Sequence, residues 1–262
     1  MTELPKNHDR YWVPGLDRGL QILNVLADAR QALSAAEIAR QTGLTRSSVF
    51  RLLYTLQHLG YIDDTQNGRA YDLTSKVLQL GYSYLAGRDV VGMARPVLHA
   101  LARETGFSAH LGVLSDRDVV YLMHAPGRAG YVSSMNAGDR LPAYATPLGL
   151  AALAGKSRDA LVTIFGSGHV VRSDDGDTIT TAALAATVQS VRDAGYAISY
   201  FTMQHGGQSV AAPVRGFDGE VKAAVGISGP VSAFAADELE GRIRPLVMAA
   251  AAEISRRLGY LA

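Results

Sequence analysis

The apolar residues of this chain change their period along its length. In the first quarter they recur at helical spacing. Leu16, Leu20, Leu23 and Ala27 predict a helix over Gly15 to Ala29. Ser34 with Glu37 three residues on gives the reciprocal capping pattern of a second helix, closed by Gly43. Thr45 caps a third helix running to Leu59. Its Val49, Leu52, Leu53, Leu56 and Leu59 form one apolar face, and Ser47, Arg51, Tyr54 and His58 form the opposite one. Gly60 ends it. Tyr61 to Asp64, the turn pair Asn67-Gly68 and Arg69 to Leu73 then read as strand, tight turn and strand. Three helices and a hairpin predict a winged helix-turn-helix, and with it DNA binding.

Beyond the hairpin, Thr74 or Ser75 caps a predicted linker helix through Val77, Leu78, Leu80, Tyr84 and Leu85. A longer helix follows over Val90 to Glu104, which Pro96 should kink or restart, and Gly106 stops it. The pattern then turns to strands. Ala109–Leu114 and Val119–His124 flank Asp116-Arg117-Asp118 as a hairpin, with Tyr131–Met135 a third strand. Helices are predicted from Thr146-Pro147 to Ala154, from Ser157 to Phe165 and from Thr181 to Ala194, with 166–176 a polar loop. Strands resume at Tyr196–Tyr200, Ser209–Val214 and Glu220–Ser228. A last helix spans Ala236 to Leu258, interrupted by Pro245. The resulting expectation is an α+β chain. It has a tail (1–11), a winged helix-turn-helix (12–74), a linker helix (75–91) and a second domain (92–262) whose largely antiparallel sheet is flanked by helices.

Composition narrows the function. A length of 262 residues, with 48% hydrophobic and 19% charged residues, suits two globular domains. The formal net charge of +1 excludes a uniformly polycationic nucleic-acid binder, so DNA affinity must come from a placed patch. That patch is visible: between Glu37 and Asp63 there is no acidic residue, while Arg40, Arg46 and Arg51 are present. Thr45, Arg46, Ser47, Ser48, Phe50 and Arg51 are the candidate DNA-contacting residues of the third helix, with Arg69 on the wing. The competing reading is a winged helix that binds protein, its arginines an ordinary solvated face. The absence of cysteine excludes disulfides, thiolate metal sites and a cysteine nucleophile. No signal-peptide core and no membrane-length apolar run is present, so a cytoplasmic location is expected. A hydrolase reading has one hint, His205-Gly206-Gly207-Gln208-Ser209, but no Gly-x-Ser-x-Gly elbow accompanies it. The seven histidines lack tight ligand spacing, and no phosphate-binding loop appears. Neither metal nor cofactor is expected.

In several motifs the chain resembles the IclR-type transcriptional regulators. They are Leu16-Asp17-Arg18-Gly19-Leu20, Ala36-Glu37-Ile38-Ala39, Arg51 to Leu56 and Leu59-Gly60-Tyr61 in the first part. In the second they are Leu141 to Gly149, Gly195-Tyr196-Ala197, Val210 to Val214, Ile227-Ser228-Gly229-Pro230 and Ala252 to Gly259. The resemblance implies a GAF-like second domain that binds a small organic acid, and a dimer or dimer of dimers on palindromic double-stranded DNA. That architecture serves repressors and activators alike. It also places the effector pocket at Ser133, Leu141, Pro147, Leu148, Ser199, Ser209, Gly226 and Ser228.

Physical chemistry adds to that assignment. Thr146 as cap and Pro147 as first helical residue are expected to leave the N–H groups of Leu148 and Gly149 open to an anion. Ser199 and Thr202 stand where the family usually has acids, Ser209 where a cysteine is frequent, and Leu150 where a lysine is common. The reduced acidity suits an anionic ligand. Tyr131, Met135, Tyr144, Tyr200 and Phe201 bring flat apolar area near the same motifs, so an aromatic carboxylate such as a hydroxybenzoate is expected. A short aliphatic 2-oxo acid is the alternative. The bland reading makes Thr146 only a cap, the serines strand-end partners and the aromatics core.

Overall fold

In the computed structural model of the chain, residues 11–29, 31–65, 69–80, 89–128, 135–171, 178–199, 207–230 and 238–260 are described. The chain divides into two units, Met1–Tyr84 and Leu85–Ala262.

The first unit holds α1 (Pro14–Ala29), α2 (Ala35–Thr42) and α3 (Arg46–His58), followed by β1 (Ile62–Asp64) and β2 (Tyr71–Leu73). The starts of α2 and α3 are chemically specified. The Ser34 hydroxyl accepts from the Glu37 N–H and the Glu37 carboxylate from the Ser34 N–H, the reciprocal box the sequence predicts. The Ser34 hydroxyl, which also donates to that carboxylate at 2.7 Å, and the Ser34 N–H hold the Glu37 carboxyl below the usual carboxylate range. Gly43 takes φ +71° to let the chain turn directly into α3, whose cap is Thr45. Val49, Leu53 and Leu56 of α3 close a core with Ile22, Leu26, Ile38 and Ile62. Leu52 is only partly buried, and Leu59 is exposed because it lies past the last helical turn.

The α1 expectation needs correcting. The buried residues of this helix are Gly19, Ile22 and Leu26, whereas Leu16 and Leu20 are exposed and Leu23 is only partly covered. The helix carries two apolar stripes, and the core takes the one through Ile22. The wing is antiparallel, pairing Ile62 with Leu73, and Leu33 adds a bridge to Tyr71 that the sequence does not signal. The predicted turn at Asn67-Gly68 lies outside the described residues. After β2, Thr74 donates to the Gly60 carbonyl and the Lys76 ammonium to the Leu59 carbonyl, 2.7 Å away. A helical turn over 76–80 begins the predicted linker, and 81–88 lie outside the described residues.

The second unit opens with α4 (Asp89–Thr105), which runs unbroken through Pro96. Pro96 and Gly92, whose carbonyl it leaves without a helix partner, both lie on the exposed side. A six-stranded antiparallel sheet follows: β3 (Ser108–Ser115), β4 (Asp118–Ala125), β5 (Arg140–Pro142), β8 (Ala197–Ser199), β9 (Gly207–Arg215) and β10 (Val221–Pro230), in the order β5-β4-β3-β10-β9-β8. The β5 edge strand was not predicted; the expected strand at Tyr131 lies outside the described residues, apart from its end at Met135. Between β5 and β8 come a 3-10 turn (Ala143–Ala145), α5 (Pro147–Leu153), α6 (Arg158–Phe165), the hairpin β6 (His169–Val171) with β7 (Thr178–Thr180), and α7 (Thr181–Ala194). That hairpin replaces part of the polar loop expected over 166–176. A single π-helical turn (Leu239–Ile243) leads without interruption into α8 (Arg244–Arg257), and Pro245 sits in the first turn of α8.

Alternation divides the sheet. Ala109, Leu111 and Val113, Val210, Ala212 and Val214, and Ala223, Val225 and Ile227 bury one face against α4 and α8. The residues between them look the other way, where Leu148, Ala151 and Ala152 of α5 cover Val119, Tyr121, Ala211 and Ala224.

Candidate DNA-binding and effector-binding surfaces

The exposed face of α3 is free of packing duties. Arg46, Ser47, Phe50, Arg51, Tyr54 and His58 are all exposed, as is Arg69 on the wing. Phe50 and Arg51 line two open grooves beside α3, one shared with Gly15 and Arg18 of α1, the other with Ala35 and Ala36 of α2. They form a ridge. Two of the predicted contact residues have another task. The Thr45 hydroxyl accepts from the Ser48 N–H and donates to the Ser48 hydroxyl at 3.0 Å, and it lies 3.2 Å from the Ser47 hydroxyl. Thr45 and the half-buried Ser48 therefore fix the helix start, leaving Arg46, Ser47, Phe50 and Arg51 to meet a groove. Tyr54 joins them, at 69% exposed.

On the α5 side of the sheet the structure brings together Ser209, Gly226 and Ser228 at one end, and Leu141 with Leu148 toward the other. Leu141 packs with Leu114 and Met135 on the cluster that contains Leu148. Ser228 of β10 pairs in register with Ser108 on one side and Ser209 on the other, and Ser209 with Ser199. Four serines thus stand at one level across four strands. The floor beside this row is made of small residues, with Gly226 opposite Ala211 and Ala224 opposite Gly112.

Of the two N–H groups at the helix start expected to be open, that of Gly149 is taken. The Gly149 N–H donates to the Thr146 hydroxyl at 3.0 Å, so it is not open to an anion. A Cβ on Gly149 would lie 2.3 Å from the Ala143 carbonyl oxygen. This glycine lets α5 press against the preceding turn, and Pro147, Leu148 and Gly149 are all buried. Tyr144 also departs from the expectation. It stacks edge-on with Phe165 at 5.8 Å, in the cluster of Leu153, Leu161 and Leu184. Tyr131, Ser133, Tyr200, Phe201 and Thr202 lie outside the described residues.

Two histidines that the sequence reading did not select complete the polar end of this face. His110 of β3 is 4% exposed and its Nε2 lies 2.9 Å from the Ser228 hydroxyl. It stacks on its cross-strand partner His124 at 5.1 Å between ring centres, and Tyr121 meets its edge. His110 Nδ1 and His124 Nε2 are buried without a hydrogen-bond partner among the described residues. Burial, with the neighbouring His124, pushes His110 down to about 3, and burial also lowers His124. Tyr121 is pushed up to about 12 by burial and the Asp139 carboxylate. Their signal in the sequence is faint: His110 and His124 each interrupt an apolar run, over 109–114 and 119–124.

The buried imidazole makes stability depend on pH. Unfolded His110 takes up a proton below about pH 6.5 and folded His110 only near 3, so between these values acid favours the unfolded state. Stability is retained above the upper value and falls as pH drops through the window. From pH 7 to 5 the loss from this residue is about 2 kcal/mol. His110→Gln should reduce the pH dependence of the second unit's urea transition by that amount; an unchanged dependence would refute a neutral buried His110.

Comparison with known proteins places the chain in a family. The sequence profile described as "IclR helix-turn-helix domain" matches residues 15–65, and that described as "Bacterial transcriptional regulator IclR C-terminal" matches residues 82–256. The Pca regulon regulatory protein of Pseudomonas putida is 30% identical over 251 residues, spanning 95% of this chain and 86% of that protein. Among solved structures, the regulator RHA06195 from Rhodococcus sp. RHA1 superposes with a TM-score of 0.80 at 32% identity, covering 94% of this chain and 98% of that one. An IclR homologue from Microbacterium hydrocarbonoxydans, solved with 4-hydroxybenzoate, shares the fold with a TM-score of 0.77 at 21% identity, over 93% of this chain and 98% of that one. No helix among the described residues is long and apolar enough to cross a membrane. These are regulators and not enzymes, and this chain belongs to the IclR family of bacterial transcriptional regulators, with a helix-turn-helix DNA-binding domain.

Proposed function

We propose that the DNA affinity of this regulator is set by a small aromatic carboxylate bound on the α5 side of the second unit's sheet. The observation that carries this reading is the division of that face into an apolar floor and a polar row. The half-buried Ser209 and Ser228, with His110, offer hydrogen bonds at one end of the face, beyond Gly226 and the small residues Ala211 and Ala224 that α5 covers. With Gly149 occupied by its cap, the carboxylate is assigned to the serines instead of the helix start. A neutral His110 that donates from Nε2 to the Ser228 oxygen leaves the serine's own hydrogen to point at an anion. The homologue solved with 4-hydroxybenzoate supports the ligand class.

The DNA contact is assigned to α3 lying in the major groove, with Arg46 and Arg51 on base edges or phosphates and Arg69 on phosphate or the minor groove. One such module offers few contacts, so we infer a symmetric oligomer reading two related half-sites. The exposed stripe of Val13, Leu16 and Leu20 on and before α1 supports this, because a second copy would cover it.

Three measurements test the reading. In duplexes selected by the full chain from a random-sequence pool, Arg46→Ala and Arg51→Ala should each weaken binding by about 1–3 kcal/mol at fixed salt; unchanged affinity in both removes α3 from the groove. Sedimentation at micromolar concentration should give a dimer or tetramer, against which a monomer that protects a single half-site would count decisively. Calorimetry of the full chain should favour 4-hydroxybenzoate or benzoate over glyoxylate and pyruvate. Combined Ser209→Ala and Ser228→Ala changes should weaken the aromatic acid at least ten-fold. Preference for the short acids, or full affinity in the double variant, would show the pocket to be wrongly typed or placed.

A further inference from the structure

The middle of the α3 face is aromatic. Phe50 is 63% and Tyr54 69% exposed, one helical turn apart, with Arg46, Ser47, Arg51 and His58 around them. Folding does not require this exposure, since the first unit closes its core on Val49, Leu53 and Leu56 of the opposite side. A ring kept in water at such a position calls for an apolar partner within a polar, anionic surface, because guanidinium groups flank it.

Duplex DNA supplies that combination. Arginines meet phosphates and guanine edges, and the apolar feature of a base-pair edge in the major groove is the C5-methyl of thymine. We propose that Phe50 and Tyr54 select thymine by packing on its methyl group, so that each half-site carries thymines matched to the two rings. Residues four apart are separated by about 6 Å along a helix axis, close to two base-pair steps at about 3.4 Å each. The selected thymines therefore fall within about three consecutive base pairs. This inference rests on α3 entering the major groove.

Deoxyuridine in place of thymine tests it, since the exchange removes the methyl and keeps every hydrogen-bonding group of the base pair. The full chain first selects duplexes from a random-sequence pool, and the tightest is remade with deoxyuridine at each thymine in turn. One or two neighbouring positions per half-site should each lose about four-fold in affinity. Phe50→Ala and Tyr54→Ala, at exposed positions where folding is not at stake, should bind the parent duplex more weakly and become indifferent to deoxyuridine at the matching position. Tolerance of deoxyuridine at every site, or an equal further loss in the alanine variants, overturns the proposal. If Arg51→Ala weakens binding while deoxyuridine has no effect, the helix is in the groove and only the thymine assignment fails. If neither matters, the groove placement fails as well.

Discussion

The alternation of side chains along β3, β9 and β10 is the constraint on which the second unit depends. Nine small or branched apolar residues of these strands point at α4 and α8, so the residues between them have to face α5. His110, Gly226, Ser209 and Ser228 owe their common side of the sheet to this rule and not to proximity in sequence. A slip of one residue in any of these strands would drive a histidine or serine into the apolar layer, where an unpaired polar group costs roughly 1–3 kcal/mol. The register and the site therefore protect one another.

In the first unit the corresponding constraint is length. A helix of 13 residues is too short to persist alone in water. It stands because Val49, Leu53 and Leu56 are buried, Thr45 closes its start, and Lys76 takes the Leu59 carbonyl at its end. With stability settled at the ends and on one side, the other side is free to carry arginines and exposed rings. The Lys76 and Thr74 bonds also make the exit from the wing part of the helix terminus, so the first residues beyond the wing and the C-terminal end of α3 form one piece.

Local chemistry was the legible part of the sequence. Ser34 with Glu37, Thr45, Ser157 and the turn at Asp116 act through neighbours a few residues away, and each stands where periodicity and capping rules put it. Long-range choices were less visible. Nothing in the spacing of α1 says which of its two apolar stripes the core will take, since Leu16 and Ile22 are equally hydrophobic. β5 is three residues long and pairs only with the edge of β4, too short for alternation to register. The Gly149 N–H looked open because the sequence locates a cap without revealing which N–H its hydroxyl will accept from. His110 was overlooked because its partners Ser228 and His124 come from other strands, 118 residues away in the first case.

Both candidate surfaces depart from the ordinary rules of burial. Phe50 and Tyr54 hold rings in water beside a well-closed core, and His110 and His124 bury nitrogens that have no hydrogen-bond partner among the described residues. A buried unsatisfied nitrogen costs about 1–3 kcal/mol, a sizeable share of a domain stability of about 5–15 kcal/mol. Such departures cluster at functional positions because folding alone would remove them. Their cost is also recoverable: a partner that covers an exposed ring, or supplies a hydrogen bond to an imidazole, gains in affinity what the folded chain forgoes. Groups left unsatisfied at a site therefore favour the ligand whose shape and polarity match them. The apolar floor beside a polar row, and the aromatic ridge between two arginines, each narrow the chemistry that can restore the balance.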